Sequence, residues 1–132
     1  MNRDEFFKKF AHLKPHVEHQ VQASCVAWFR YFYKDYRFRL FAVPNGEFRS
    51  QSTGAKLKEE GVLAGVSDLI LLVPRKGYGA LCIEMKTASN NSRQSLVQKM
   101  WQEDVERNND YKYVICRSVN EFIEVVDEYM KY

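Results

Sequence analysis

The sequence predicts an α/β fold, a mixed sheet with helices on its faces, and three observations carry that reading. Stretches with apolar residues at helical spacing alternate with short, solidly apolar runs of strand length. Two such runs, in "SDLILLVPRKGYGALCIEMKT" (67–87), are joined by a glycine-bearing turn that fits a hairpin. The chain has 132 residues, enough for one core, and reads as a single domain.

The elements follow in order. Phe6, Phe7, Phe10 and Leu13 are at helical spacing, which predicts a short amphipathic helix over residues 3 to about 13, an extra N-terminal helix within 1–14. Pro15 suits the first turn of a second helix, roughly 16–35, whose stripe is Val17, Val21, Ser24, Trp28 and Phe32. "FRLFAVP" (38–44) reads as a strand ended by Pro44. The stretch 45–65 is polar, basic and punctuated by glycine, with one short helix expected near 54–60; long connections of this kind tend to be functional. Strands follow at 68–73 and 79–86, with "PRKGYG" as the turn. "NNSRQ" supplies cap chemistry for a helix over about 94–108, with Leu96, Val97, Met100, Trp101 and Val105 as its apolar face. "YKYVIC" is a fourth strand, and Phe122, Ile123, Val126 and Tyr129 mark a final helix, so that the core spans 16–130. There are no internal repeats or low-complexity stretches.

Composition excludes several classes. No apolar run approaches the ~18 residues of a membrane span, and "MNRDEFFKKF" has acids but no continuous apolar segment of the kind a signal peptide needs. Cys25, Cys82 and Cys116 are odd in number, far apart and set among apolar residues, which points to buried thiols in a reducing, cytoplasmic compartment rather than to a disulfide framework or a zinc site. His12, His16 and His19 have helical spacing, but Pro15 interrupts them and no acid or cysteine completes a metal set. The net charge of +3 is too small to name a partner, so the distribution of charge matters more.

Asp68 opens one of the most apolar strands, and Glu84 and Lys86 close the next. Alternate residues of a strand share a face, so Glu84 and Lys86 point the same way, roughly 7 Å apart. A hairpin also brings the start of its first strand opposite the end of its second, so Asp68 converges on both. Two carboxylates this close in a partly dry site repel, and a hard divalent cation relieves the repulsion. Such an ion lowers the pKa of bound water and neutralises charge on a phosphoryl group, and a neighbouring ammonium can stabilise charge in the transition state. The competing reading is a surface Asp68–Lys86 salt bridge at strand ends, worth under about 1 kcal/mol. The near-solid apolarity of both strands and the basic, glycine-bearing loop beside them favour the site.

In this context the chain resembles the PD-(D/E)XK nucleases, and more closely the virus-type replication–repair nuclease family, VRR-NUC. The joint pattern "EEGVLAGVSDLIL…IEMK…Q..W" is far more specific than the charged triad alone, and the resemblance extends over about residues 16–130. It implies a restriction-endonuclease-like fold with an αβββαβ core. It implies that Asp68, Glu84 and the backbone carbonyl of Met85 bind Mg²⁺ or Mn²⁺, that Lys86 is the catalytic lysine and that Gln98 lines the site. Glu18 would bind the metal or its water. Ser67 stands where the family usually has proline, a residue that shapes backbone rather than doing chemistry.

By residue chemistry alone, Glu18 is also explained by the preference for acids in a first helical turn, and Gln98 by exposure on a helix. Asn45, Arg49, Lys56 and Lys58 before Asp68, and Arg93 and Lys99 after Lys86, flank the site in sequence and suit DNA phosphates, though charged runs are usually solvated faces. The expected activity is metal-dependent DNA cleavage, directed at branched, flapped or junction structures because no base-reading module is evident. The resemblance implies a role in phage or bacterial replication, repair or recombination, in the cytoplasm, as a homodimer. The alternatives are a restriction-type or RNA-directed nuclease, a DNA-binding module that has lost turnover, and a structural interaction domain.

Overall fold

The computed structural model describes residues 2–10, 18–44, 51–86 and 93–132. Its elements are α1 (Arg3–Phe10), α2 (Glu18–Phe32), a 3₁₀ segment (Lys34–Arg39), β1 (Leu40–Ala42), α3 (Gln51–Glu59), β2 (Leu69–Leu71), β3 (Leu81–Met85), α4 (Leu96–Glu106), a 3₁₀ turn (Arg107–Asn109), β4 (Lys112–Cys116) and α5 (Val119–Met130). The strands form one sheet in the order β1-β2-β3-β4. β1–β2 and β2–β3 pair antiparallel, whereas β3–β4 pair parallel, as the α4 crossover between them requires. The fold is the mixed α/β sheet expected.

Alternation along the strands divides the sheet into two faces. Leu69, Leu71, Leu81, Ile83, Met85 and Cys116 lie in one apolar core with Cys25, Trp28 and Phe29 of α2 and Phe122, Ile123 and Val126 of α5. Trp28 meets the Phe122 ring edge-on at 6.1 Å, and Phe6 of α1 reaches the same core beside Phe32 at 6.2 Å. The stripe expected on the second helix is therefore the core face of α2, with Val21, Ser24 and Trp28 buried. Asp68, Ile70, Cys82 and Glu84 have the opposite parity and face the side that α4 covers. Every residue of β3 is buried, so this strand is covered on both faces.

The hairpin between β2 and β3 closes as expected. Arg75 and Tyr78 exchange backbone hydrogen bonds of 3.1 and 2.8 Å across Lys76 and Gly77, both with positive φ, the geometry of a turn that matches strand twist.

Three expectations are corrected. The second helix stops at Phe32, and residues 34–39, expected in part as helix and in part as strand, form a 3₁₀ segment in which Arg37 lies over the Phe38 ring. The strands are shorter than drawn because regular pairing ends within a residue or two of the site and the turn. The largest correction concerns α4. Its expected apolar face packs only in part: Trp101 and Val105 are half-buried, but Leu96, Val97 and Met100 are exposed, and Gln98 and Gln102 complete the inward stripe. That stripe has helical spacing too, but it carries two amides where an ordinary core helix would carry aliphatic residues.

Leu13, Pro15, Val17, His12 and His16 lie outside the described residues, as do Asn45 and Arg49. No described helix is long and apolar enough to cross a membrane. Cys25, Cys82 and Cys116 are free and buried, as expected.

Candidate active site

The register of β2 and β3 runs Leu69↔Ile83, Ile70↔Cys82, Leu71↔Leu81, so one step further sets Asp68 opposite Glu84. The two carboxylates converge as the hairpin argument required. Asp68 stands one residue before β2 begins, and its Oδ2 accepts the Met85 backbone N–H at 2.8 Å. A side chain thus extends the ladder past the last backbone pair. The Asp68 carbonyl accepts the Val43 N–H at 2.8 Å, tying the same residue to the strand on its other side. Ser67, fully buried, donates its hydroxyl to the Leu69 carbonyl at 3.0 Å.

Glu84 is 3% exposed, in the middle of the sheet. An acid so placed must be compensated by donors or a cation. Gln98 Nε2 approaches its Oε1 and the Tyr113 hydroxyl its Oε2, both at 3.5 Å, the outer limit of a hydrogen bond. Lys86, just past the end of β3, donates its ammonium to Gln98 Oε1 at 2.9 Å. Lys86 pairs with Gln98 rather than with Asp68, so the simple surface ion pair is not what the site contains.

Gln98 is the hub of this arrangement, and α4 is built to hold it. Ser95 caps the helix, accepting the Gln98 N–H at 3.3 Å, while Gln98 Oε1 accepts the Ser95 N–H at 2.9 Å in a reciprocal capping box. The same Oε1 accepts the hydrogen bond from Lys86 Nζ, which leaves the Nε2–H groups directed toward Glu84. Gly65 brings the preceding loop against this turn. Its φ is +90°, and a Cβ there would meet the Val97 carbonyl oxygen at 2.6 Å. Only glycine accommodates both the backbone angle and that approach.

On the far side of Glu84 the phenol of Tyr113 is buried. Burial pushes its pKa up to about 12; Gln94 opposes the shift, and the Glu84 and Asp68 carboxylates add to it. Tyr113 carried no role in the sequence reading. The signal was available, since β4 runs parallel to β3 with Cys82 paired to Tyr113, but a tyrosine in "YKYVIC" looks like ordinary strand composition.

The structure therefore brings Asp68, Glu84, Lys86 and Gln98 together. Glu18 is the first residue of α2, and its side chain lies outside the described set. Lys56 and Lys58 are exposed in the last turn of α3, and Arg93 and Lys99 are exposed beside the N-terminus of α4. Among the described residues no cluster of three or more His, Cys, Asp or Glu side chains could hold a metal. Among the described residues the acids that converge are Asp68 and Glu84, a pair that suits a hard ion keeping several of its waters better than one needing a full protein cage.

No protein-family model matches the sequence, and no curated protein matches it either. A solved structure described as a "VRR_NUC domain protein" is similar to it, with a TM-score of 0.74 and 27% identity over 89% of this chain and 91% of that one. That likeness runs through nearly the whole of both chains and agrees with the motif at Asp68, Glu84 and Lys86. It supports a VRR-NUC family assignment for this chain.

Proposed function

We propose that this protein is a Mg²⁺- or Mn²⁺-dependent DNA endonuclease acting on branched, flapped or junction DNA in replication, repair or recombination. The observation that supports it best is Glu84, an acid buried in the centre of a nuclease-type sheet, opposite Asp68 and beside Lys86. Burying a carboxylate is costly, and this one sits beside the ammonium of Lys86, which Gln98 holds in place at 2.9 Å.

Each residue then has a role. Asp68 offers its second oxygen to the ion, the first being engaged by the Met85 N–H. Glu84 supplies the other anionic ligand, and the Met85 carbonyl and Glu18 complete the expected set. The bound cation would supply charge neutralisation at the scissile phosphate and an acidified water. Lys86, oriented by Gln98, offers its ammonium to charge that builds on the phosphate oxygens or to the attacking water. Lys56, Lys58, Arg93 and Lys99, with Asn45 and Arg49, are the candidate contacts to the DNA backbone. They position the duplex without reading bases, which is why a DNA shape rather than a sequence is the expected substrate.

The test is incubation of the purified chain with linear, flapped and four-way DNA and with RNA, in Mg²⁺, in Mn²⁺ and in excess chelator. Metal-dependent cleavage that favours the branched DNA is expected. Undiminished cleavage in chelator would remove the metal from the reading, and binding without cleavage of any substrate would replace the enzyme with a DNA-binding module.

A further inference from the structure

We propose that Tyr113 is a positioning residue that donates its phenol proton to Glu84 and so fixes which carboxylate oxygen is presented to a divalent cation. The inference rests on the metal-site reading above and adds a residue that no motif marks.

The polarity of a hydrogen-bonded chain carries it. The carboxylate oxygen of Glu106, at the exposed end of α4, accepts the Gln102 Nε2–H at 2.6 Å. Gln102 must then turn its carbonyl oxygen the other way, where it accepts from Gln94 Nε2 at 2.7 Å. The second hydrogen on that same Gln94 nitrogen points to the Tyr113 oxygen at 3.1 Å. An amide nitrogen cannot accept, so Tyr113 is an acceptor toward Gln94. Its single proton is left for another partner, and Glu84 Oε2 lies 3.5 Å away.

The chain thus begins and ends on carboxylates, and its direction reverses at Gln94, whose two protons serve both sides. The ring of Tyr113 is itself fixed, 6% exposed and edge-on to Trp101 at 6.1 Å. With Tyr113 at Oε2 and Gln98 at Oε1, Glu84 is held from both sides. The two donors determine the plane in which the carboxylate lies. Partners of this kind orient a ligating carboxylate, and losing one commonly costs 10–100-fold in metal affinity or activity.

The experiment is calorimetric titration of Mn²⁺ into the DNA-free full chain, for the wild type, Glu84→Gln, Tyr113→Phe and Gln94→Leu, each with its unfolding temperature. Tyr113→Phe keeps the ring and removes only the hydroxyl, so the fold should persist. Its Mn²⁺ dissociation constant should rise about 10-fold or more. Gln94→Leu, which frees the phenol to turn, should weaken binding in the same direction but by less. Glu84→Gln should lose the site. Unchanged Mn²⁺ affinity in Tyr113→Phe, with binding lost in Glu84→Gln, would overturn the role of Tyr113 and leave the metal site standing. A lowered unfolding temperature with unchanged affinity would likewise make Tyr113 a packing residue only. Undiminished binding in Glu84→Gln would overturn the metal site and this inference with it.

Discussion

The two faces of the sheet are made by the same strands and follow different rules. On one, Leu69, Leu71, Leu81, Ile83 and Met85 meet α2 and α5 in a continuous apolar core. On the other, the alternate residues Asp68, Cys82 and Glu84 meet α4, a helix with no fully buried residue and with two glutamines in its inward stripe. The first face is what a folding chain needs. The second is less stable than it could be, because a buried acid and a row of amides occupy volume that aliphatic side chains would fill at lower cost. Such local departures from good packing are where function is expected.

The comparison is broken most severely by removing a large side chain from the first face. Trp28→Ala should cost about 3–5 kcal/mol in urea unfolding, since the ring is fully buried between Phe32, Tyr33 and Phe122. Lys86→Ala should do the reverse on the other face. Stability should hold while single-turnover cleavage falls roughly 10²–10³-fold with DNA affinity nearly kept. If affinity falls in proportion to rate, Lys86 is a phosphate anchor and not part of the chemistry.

A third substitution sharpens how α4 is placed. Gly65→Ala should lose roughly 1–3 kcal/mol from the forced backbone angle. It should also slow cleavage, because a methyl group 2.6 Å from the Val97 oxygen displaces the turn that holds Gln98. Normal cleavage in a destabilised Gly65→Ala would separate the α4 turn from catalysis.

The mildest test is alkali. Burial pushes the Cys82 thiol up to about 11 and the Cys116 thiol up to about 12, and raises Cys25 further still. These thiols bind their protons more tightly folded than unfolded. Their contribution is therefore complete below the ordinary value of 9 and is lost as pH climbs from there toward 11 and 12. Each should remove at most about 1.4 kcal/mol per pH unit in that window. A urea midpoint that stays level from pH 8 to 10.5 would mean that the thiols are more accessible than the core suggests.

Much of this was legible in the chain. The parity of Asp68, Glu84 and Lys86 and the position of the turn were enough to bring the three together, because strand period and hairpin closure are geometric constraints. The orientation of α4 was not legible. "SLVQKMW" contains two overlapping helical stripes, and counting apolar residues groups Leu96, Val97 and Met100 with Trp101. The helix turns Trp101 inward as expected but sets Gln98 beside it and leaves the other three exposed, because the Ser95 cap and the Lys86 ammonium both bind the Gln98 amide. Periodicity reports hydrophobicity alone and is blind to a polar partner supplied by another strand. Tyr113 escaped notice for the same reason: its role comes from Gln94 and Glu84, 19 and 29 residues away.

The division between the faces is tested most directly by Glu84→Gln, with Mg²⁺-dependent DNA cleavage and thermal unfolding measured on one preparation. The substitution removes a buried negative charge and almost no volume. Cleavage should be lost, and the unfolding temperature should hold or rise, as expected of an acid kept for chemistry at a cost in stability. A Glu84→Gln protein that cleaves as well as the wild type while unfolding at a much lower temperature would contradict this, and would make Glu84 part of the framework rather than of the active site.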